Sequence, residues 1–192
     1  MKKRLTLFTV LFIFALGCSQ HSLVSSQDKK PESAATPAGA MKELRDRLLT
    51  SSAAEVGLSG EDAKAKVWGV LMEVALPNGV ATLVSVRDGT ASLYTSTGGG
   101  ILGGYSARNE AKRFVTEAEK HLASMKPTKS FPYPTAGSMK FYLLTQDGVV
   151  TAEVDEKELV SGRHALSPLF LSGNEVLTAL RTRTGGQSQT KP

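Results

Sequence analysis

Between Val67 and Thr97 apolar residues recur at every second position, and the pattern is interrupted twice, by Pro77-Asn78-Gly79 and by Asp88-Gly89. A period of two is that of a strand with its two faces in different surroundings. Asn-Gly and Asp-Gly tolerate the positive φ values that tight hairpin turns demand. The stretch therefore predicts three consecutive antiparallel strands, Val67 to Leu76, Val80 to Arg87 and Thr90 to Thr97, because connections this short cannot return the chain to a parallel neighbour. On the first strand, strict alternation puts Trp68, Val70, Met72, Val74 and Leu76 on one side, so the Trp68 ring is expected to pack with Val70, Met72, Phe114 or Phe141 beneath a helix. Tyr94 and Leu93 fall on opposite faces of the third strand.

Helical spacing flanks this meander. Leu44, Leu48 and Leu49, with Ala53 and Val56 after them, recur among Lys42, Glu43, Arg45, Asp46 and Arg47, which predicts an amphipathic first helix from about Met41. Ser59-Gly60-Glu61-Asp62 opens a short turn. Ala111, Phe114, Val115, Ala118, Leu122 and Met125 form the stripe of a longer helix, with Ser106 as N-cap and Pro127 as its stop. Met139 to Thr145 and Val149 to Val154 read as a second hairpin about Gln146-Asp147-Gly148, Asp155 to Val160 as a short helix, and Ser172-Gly173-Asn174-Glu175 as a capping box before a last helix ending near Arg183. The expected fold class is α+β: an antiparallel five-stranded sheet (three-strand meander, helix, hairpin, helix) with an N-terminal helix. At about 143 residues, the single domain 41–183 is large enough to bury close to 70% of its unfolded surface. Residues 184–192 are expected to form a flexible tail. In its order of elements the domain resembles type III secretion chaperones and, more distantly, profilin-like domains such as roadblock, which implies an interaction module and no particular ligand.

The amino terminus has a different character. Lys2, Lys3 and Arg4 precede thirteen uncharged residues, and Gly17 stands before the single cysteine of the chain, Cys18. A basic segment, a short apolar segment and small residues at a cleavage point make a secretory signal, residues 1–17, too short to span a membrane. Its end, Ala15-Leu16-Gly17-Cys18, resembles the lipobox of bacterial lipoproteins. That resemblance implies a diacylglyceryl group, and with it palmitate-type acyl chains, on the Cys18 sulfur, cleavage before Cys18 and a protein held on its membrane. Ser19 in place of aspartate implies, in a Gram-negative source, an outer membrane location facing the periplasm. Residues 18–40, rich in Ser, Ala, Pro and charge, read as a disordered tether with a reach of about 25 Å.

Charge argues against a nucleic-acid partner. The chain holds 23 Lys and Arg against 18 Asp and Glu; without Lys2, Lys3 and Arg4 the balance is 20 against 18, or +2, short of the basic footprint that phosphate recognition needs. Gly98, Gly100 and Gly103 satisfy G-x-G-x-x-G, and a loop Gly98 to Tyr105 between a strand and a helix would be placed to cradle a phosphate. No acidic residue ends a second strand about 20 residues onward, as that motif requires. His21, His121 and His164 stand apart, without the spacing of zinc ligands. Asp88 and Asp147 are explained by turns, and Asp155, Glu156 and Glu158 by a solvated helix start. No cofactor, metal or catalytic residue is therefore expected. The chain reads as a lipid-anchored, non-catalytic interaction module that meets the membrane through acylated Cys18 and another envelope protein through its domain. The second reading is a small-ligand or phosphate-binding domain, with or without an enzymatic activity, built on the Gly98 to Tyr105 loop.

If Cys18 is acylated, Cys18→Ser abolishes incorporation of a palmitate analogue and leaves the 17-residue leader attached. A Cys18→Ser chain that matures like the wild type, from a parent that never takes up label, would show an ordinary secretory signal.

Overall fold

A computed structural model describes residues 36–185 of the chain. In order these are α1 (Pro37–Thr50), α2 (Gly60–Lys64), β1 (Val67–Leu76), β2 (Gly79–Val86), β3 (Ala91–Thr95), β4 (Gly100–Gly104), α3 (Arg108–Glu119), a single 3₁₀ turn (Leu122–Ser124), β5 (Lys126–Thr128), β6 (Ser138–Thr145), β7 (Gly148–Asp155), α4 (Glu156–Val160) and α5 (Ser167–Gly185). The strands form one sheet in the order β4-β3-β2-β1-β6-β7-β5, and each neighbouring pair is antiparallel.

The class is α+β, but the sheet has seven strands and not the expected five. Both additional strands lie at its edges, where local sequence signals are weakest. β4 is the glycine run expected to be a loop between a strand and a helix; its composition is poor for a strand, and its backbone is held by the ladder of β3. β5 is three residues around Pro127, the residue expected to act only as a helix stop, and an edge strand tolerates proline because one side of its backbone needs no partner.

The helix ends also move. α1 begins at Pro37, within the expected tether, because Thr36 caps it by accepting from the Gly39 N–H (3.2 Å) and proline occupies the first turn. α3 is preceded by Ala107, with no side-chain cap, so Ser106 does not serve as one. α5 starts five residues before the predicted capping box, which leaves Ser172 to Glu175 inside the helix. Gly173 has a packing reason to be there. A Cβ at that position would lie 2.7 Å from the Met72 sulfur, so the missing side chain lets α5 cross close over β1.

Two apolar clusters lie on the two faces of the sheet. One contains Val70, Met72, Phe141 and Leu143 under Phe114 and Val115 of α3 and Leu169, Val176 and Leu180 of α5. The other contains Leu71, Val84, Tyr94, Tyr142 and Leu144 with Leu49 of α1. Trp68 belongs to the second cluster, not with Val70, Met72 or the phenylalanines as alternation predicted. The cause is a bulge: Val67 faces Thr145 and Gly69 faces Leu144, so Trp68 is an extra residue on β1 and the alternation shifts by one there. Its ring is 2% exposed, and its indole N–H donates to the Thr145 carbonyl (3.2 Å).

Trp68→Ala should therefore cost about 3–5 kcal/mol in urea unfolding. Leu49→Ala should shift Trp68 emission to longer wavelength while Phe114→Ala leaves it in place; the reverse would put the indole on the α3 face.

Candidate functional site

The three glycines singled out in the sequence lie along the β3–β4 connection and the free edge of the sheet. A Cβ on Gly98 would meet Pro37 of α1 at 2.6 Å, and one on Gly100 would meet the Leu93 carbonyl oxygen at 2.2 Å. Gly103 adopts φ +61° at a bulge in β4, where its N–H donates to Ser92 Oγ (2.8 Å). The run continues as a strand, and α3 starts only at Arg108. The strand-to-helix loop on which the phosphate reading rested is therefore occupied by β4. What this segment presents is backbone and apolar surface: Leu102 is 51% exposed and Tyr105 56%, with the Tyr105 hydroxyl donating to Asp88 Oδ2 (3.1 Å) and Arg108 over its ring.

A second feature crosses the centre of the sheet on the α1 face. Tyr94 faces Thr82, Thr82 faces Glu73, Glu73 faces Lys140 and Lys140 faces Glu153, a polar row through five adjacent strands. Arg45 of α1 closes on it, with Nε 2.5 Å and Nη2 2.9 Å from the two Glu73 oxygens. Thr82 Oγ1 donates to the same carboxylate (3.1 Å). Arg45 and Glu73 are both buried, so two charges have been taken from water, and the two-pronged geometry with added hydrogen bonds is what makes that tolerable.

The row is roofed by the connection between β5 and β6. Arg45 Nη1 donates to the Phe131 carbonyl (3.0 Å), while Tyr142 Oη (2.5 Å) and Lys140 Nζ (3.3 Å) donate to that of Pro132. The Arg45 guanidinium lies 4.2 Å from the Tyr133 ring centroid. Glu153 accepts from Lys140 (2.8 Å), Ser138 (2.5 Å) and both the N–H and hydroxyl of Thr135. Partial burial opposes its ionisation, but these donors prevail and hold its carboxyl down at about 2. Burial, reinforced by Glu73, pushes the Tyr142 phenol up to about 12. It pushes Tyr94 up as well, and the Tyr94 hydroxyl has no hydrogen-bond partner among the described residues. The row holds its roof through Arg45, Lys140, the Tyr142 phenol and the Glu153 carboxylate.

Sequence reasoning missed every charged member of this row. Arg45 was read as part of the wet face of the first helix. Glu73 and Lys140 carried a usable signal, each being a lone charge in the interior of an apolar strand. The remaining candidates stay apart: His164 Nδ1 accepts from the Leu166 N–H (3.1 Å) and His121 pairs with Glu117 (3.2 Å). Asp88 binds Thr90 within its turn. Among the described residues no three His, Cys, Asp or Glu side chains gather as metal ligands, and no helix is long and apolar enough to cross a membrane. The clefts are open and shallow; those of about 550 and 720 Å³ share Arg113, Leu171 and Glu175 in the α3–α5 groove. Cys18 and His21 lie outside the described residues. No family model matches the chain, and neither a curated protein nor a solved structure matches it.

Arg45→Ala strands the Glu73 carboxylate and should cost about 3–5 kcal/mol. The double replacement Arg45→Met, Glu73→Leu should cost clearly less, as read from urea unfolding of the single and double variants. Equal costs would mean that the pair is not coupled.

Proposed function

We propose that the chain is a lipid-anchored envelope protein whose domain is a non-catalytic protein-interaction module. Acylation at Cys18 would hold it on the membrane, in a Gram-negative source the outer membrane on its periplasmic side. The observation that carries the reading is the edge strand β4: an uncharged segment, Gly100-Ile101-Leu102-Gly103-Gly104, with no strand on its outer side among the described residues and Leu102 and Tyr105 exposed beside it. An open edge recognises another polypeptide by adding a strand, the ladder supplying affinity and alternate side chains supplying choice. Soluble proteins usually blunt such edges with charge or proline, and this one carries neither.

A photo-crosslinking amino acid at Leu102 should capture a polypeptide on intact membranes, and the same group at Ser161, beyond α4, should not. Absence of any adduct from Leu102 would remove the basis of the reading.

A further inference from the structure

The two edges of the sheet are built differently. β5 ends one side with Lys126-Pro127-Thr128, a short strand whose charge and proline discourage pairing. β4 ends the other with no charge and no proline. The Thr95 N–H donates to the Gly99 carbonyl (3.2 Å), and Ile101 pairs with Leu93. Backbone groups alternate in direction along a strand, so Gly99 and Ile101 turn theirs toward β3, and Gly100 and Leu102 turn theirs outward. The outward pair precedes the bulge at Gly103, so the usable edge is the three residues Gly100 to Leu102, of which Gly100 has a φ of +149°.

We propose that this edge pairs with β4 of a second copy of the same chain, antiparallel, with the two-fold axis at Ile101. The proposal rests on the interaction-module reading and names its partner. In this register Leu102 of each copy faces Gly100 of the other, so a large side chain meets a position without one, and Gly100 has no room for a Cβ on its own β3 side. The two Ile101 residues face each other as a non-hydrogen-bonded pair, and the outward groups of Gly100 and Leu102 complete the ladder on either side. The strand carries no charge, so joining the copies sets no like charges opposite one another.

The place where the chain enters the domain agrees with this arrangement. Gly98, two residues before β4, lies against Pro37 at the start of α1, so the first described residues lie beside the same edge. A two-fold axis normal to a continuous sheet keeps like faces on one side. Both α1 helices then share a face, and their first residues lie near the junction. A ladder this short is weak alone; anchoring both copies in one bilayer raises their effective concentration and makes it sufficient.

The test uses the full lipidated chain in vesicles of phosphatidylethanolamine and phosphatidylglycerol. Facing α-carbons in a non-hydrogen-bonded pair are about 4.5 Å apart, within the span of a disulfide of about 4.4–6.8 Å. Ile101→Cys should therefore form a linked dimer under mild oxidation, which the lipidated wild type, its one cysteine blocked as a thioether, cannot form, while Thr128→Cys at the β5 edge should not. Adding Leu102→Pro, which deletes an outward N–H and leaves the β3 ladder intact, should abolish the link without changing the melting temperature of the Ile101→Cys chain. The proposal is overturned if Ile101→Cys, folded as judged by circular dichroism, links no more than wild type or than Thr128→Cys, or if a folded Leu102→Pro chain links undiminished. If the photo-crosslinker at Leu102 meanwhile captures a different polypeptide, the interaction module stands and only the second copy is lost.

Discussion

The buried ion pair between Arg45 and Glu73 is the contact on which the α1 side of the molecule depends. α3 and α5 cover their face of the sheet chiefly by apolar packing, with Gly173 allowing close approach over Met72 and Glu119 pairing with Arg87 at the margin. α1 brings a thinner apolar stripe, and its guanidinium reaches through that stripe to the middle of the central strand. The same group takes up the Phe131 carbonyl and stacks on Tyr133, so the helix, β1 and the β5–β6 connection share one anchor. An apolar pair would fill the space equally well, but it would offer the connection nothing to which its backbone carbonyls could bind.

The polar row also fixes the pairing of strands. Side chains on a strand change face at every residue, so a slip of one position along β1 or β6 would drive Glu73 or Lys140 into the apolar cluster beneath α3 and α5. Such a slip costs more than any misplaced valine, because an unpaired buried charge finds no compensation there. In a sheet whose central strands are apolar on both sides, this is the feature that distinguishes one register from its neighbours.

The sequence makes the interior of the fold legible and its margins much less so. The three-strand meander, the second hairpin, the short helix after it and the stripe of α3 all follow from period and turn chemistry, since those signals are local. Trp68 was placed on the wrong face because a bulge adds one residue to one strand, and nothing in Val67-Trp68-Gly69 announces that its partner lacks a counterpart. β4 and β5 escaped because their residues pair by position and not by preference. The buried row escaped for a different reason: Arg45 is indistinguishable from the solvated charges around it until the helix is docked. Which neighbours the glycine run meets, Pro37 and the Leu93 carbonyl, depends on the tertiary arrangement.

Pro127 has an effect well beyond the three residues of β5. A sheet that is open at both edges can add copies without limit, each new molecule offering the next a fresh edge, and growth of that kind ends in a fibre. With proline and lysine on one margin, each molecule has a single margin to give, and a two-fold contact consumes it on both sides. In the proposed arrangement edge association is thus self-terminating, and copies held on one bilayer would pair without polymerising.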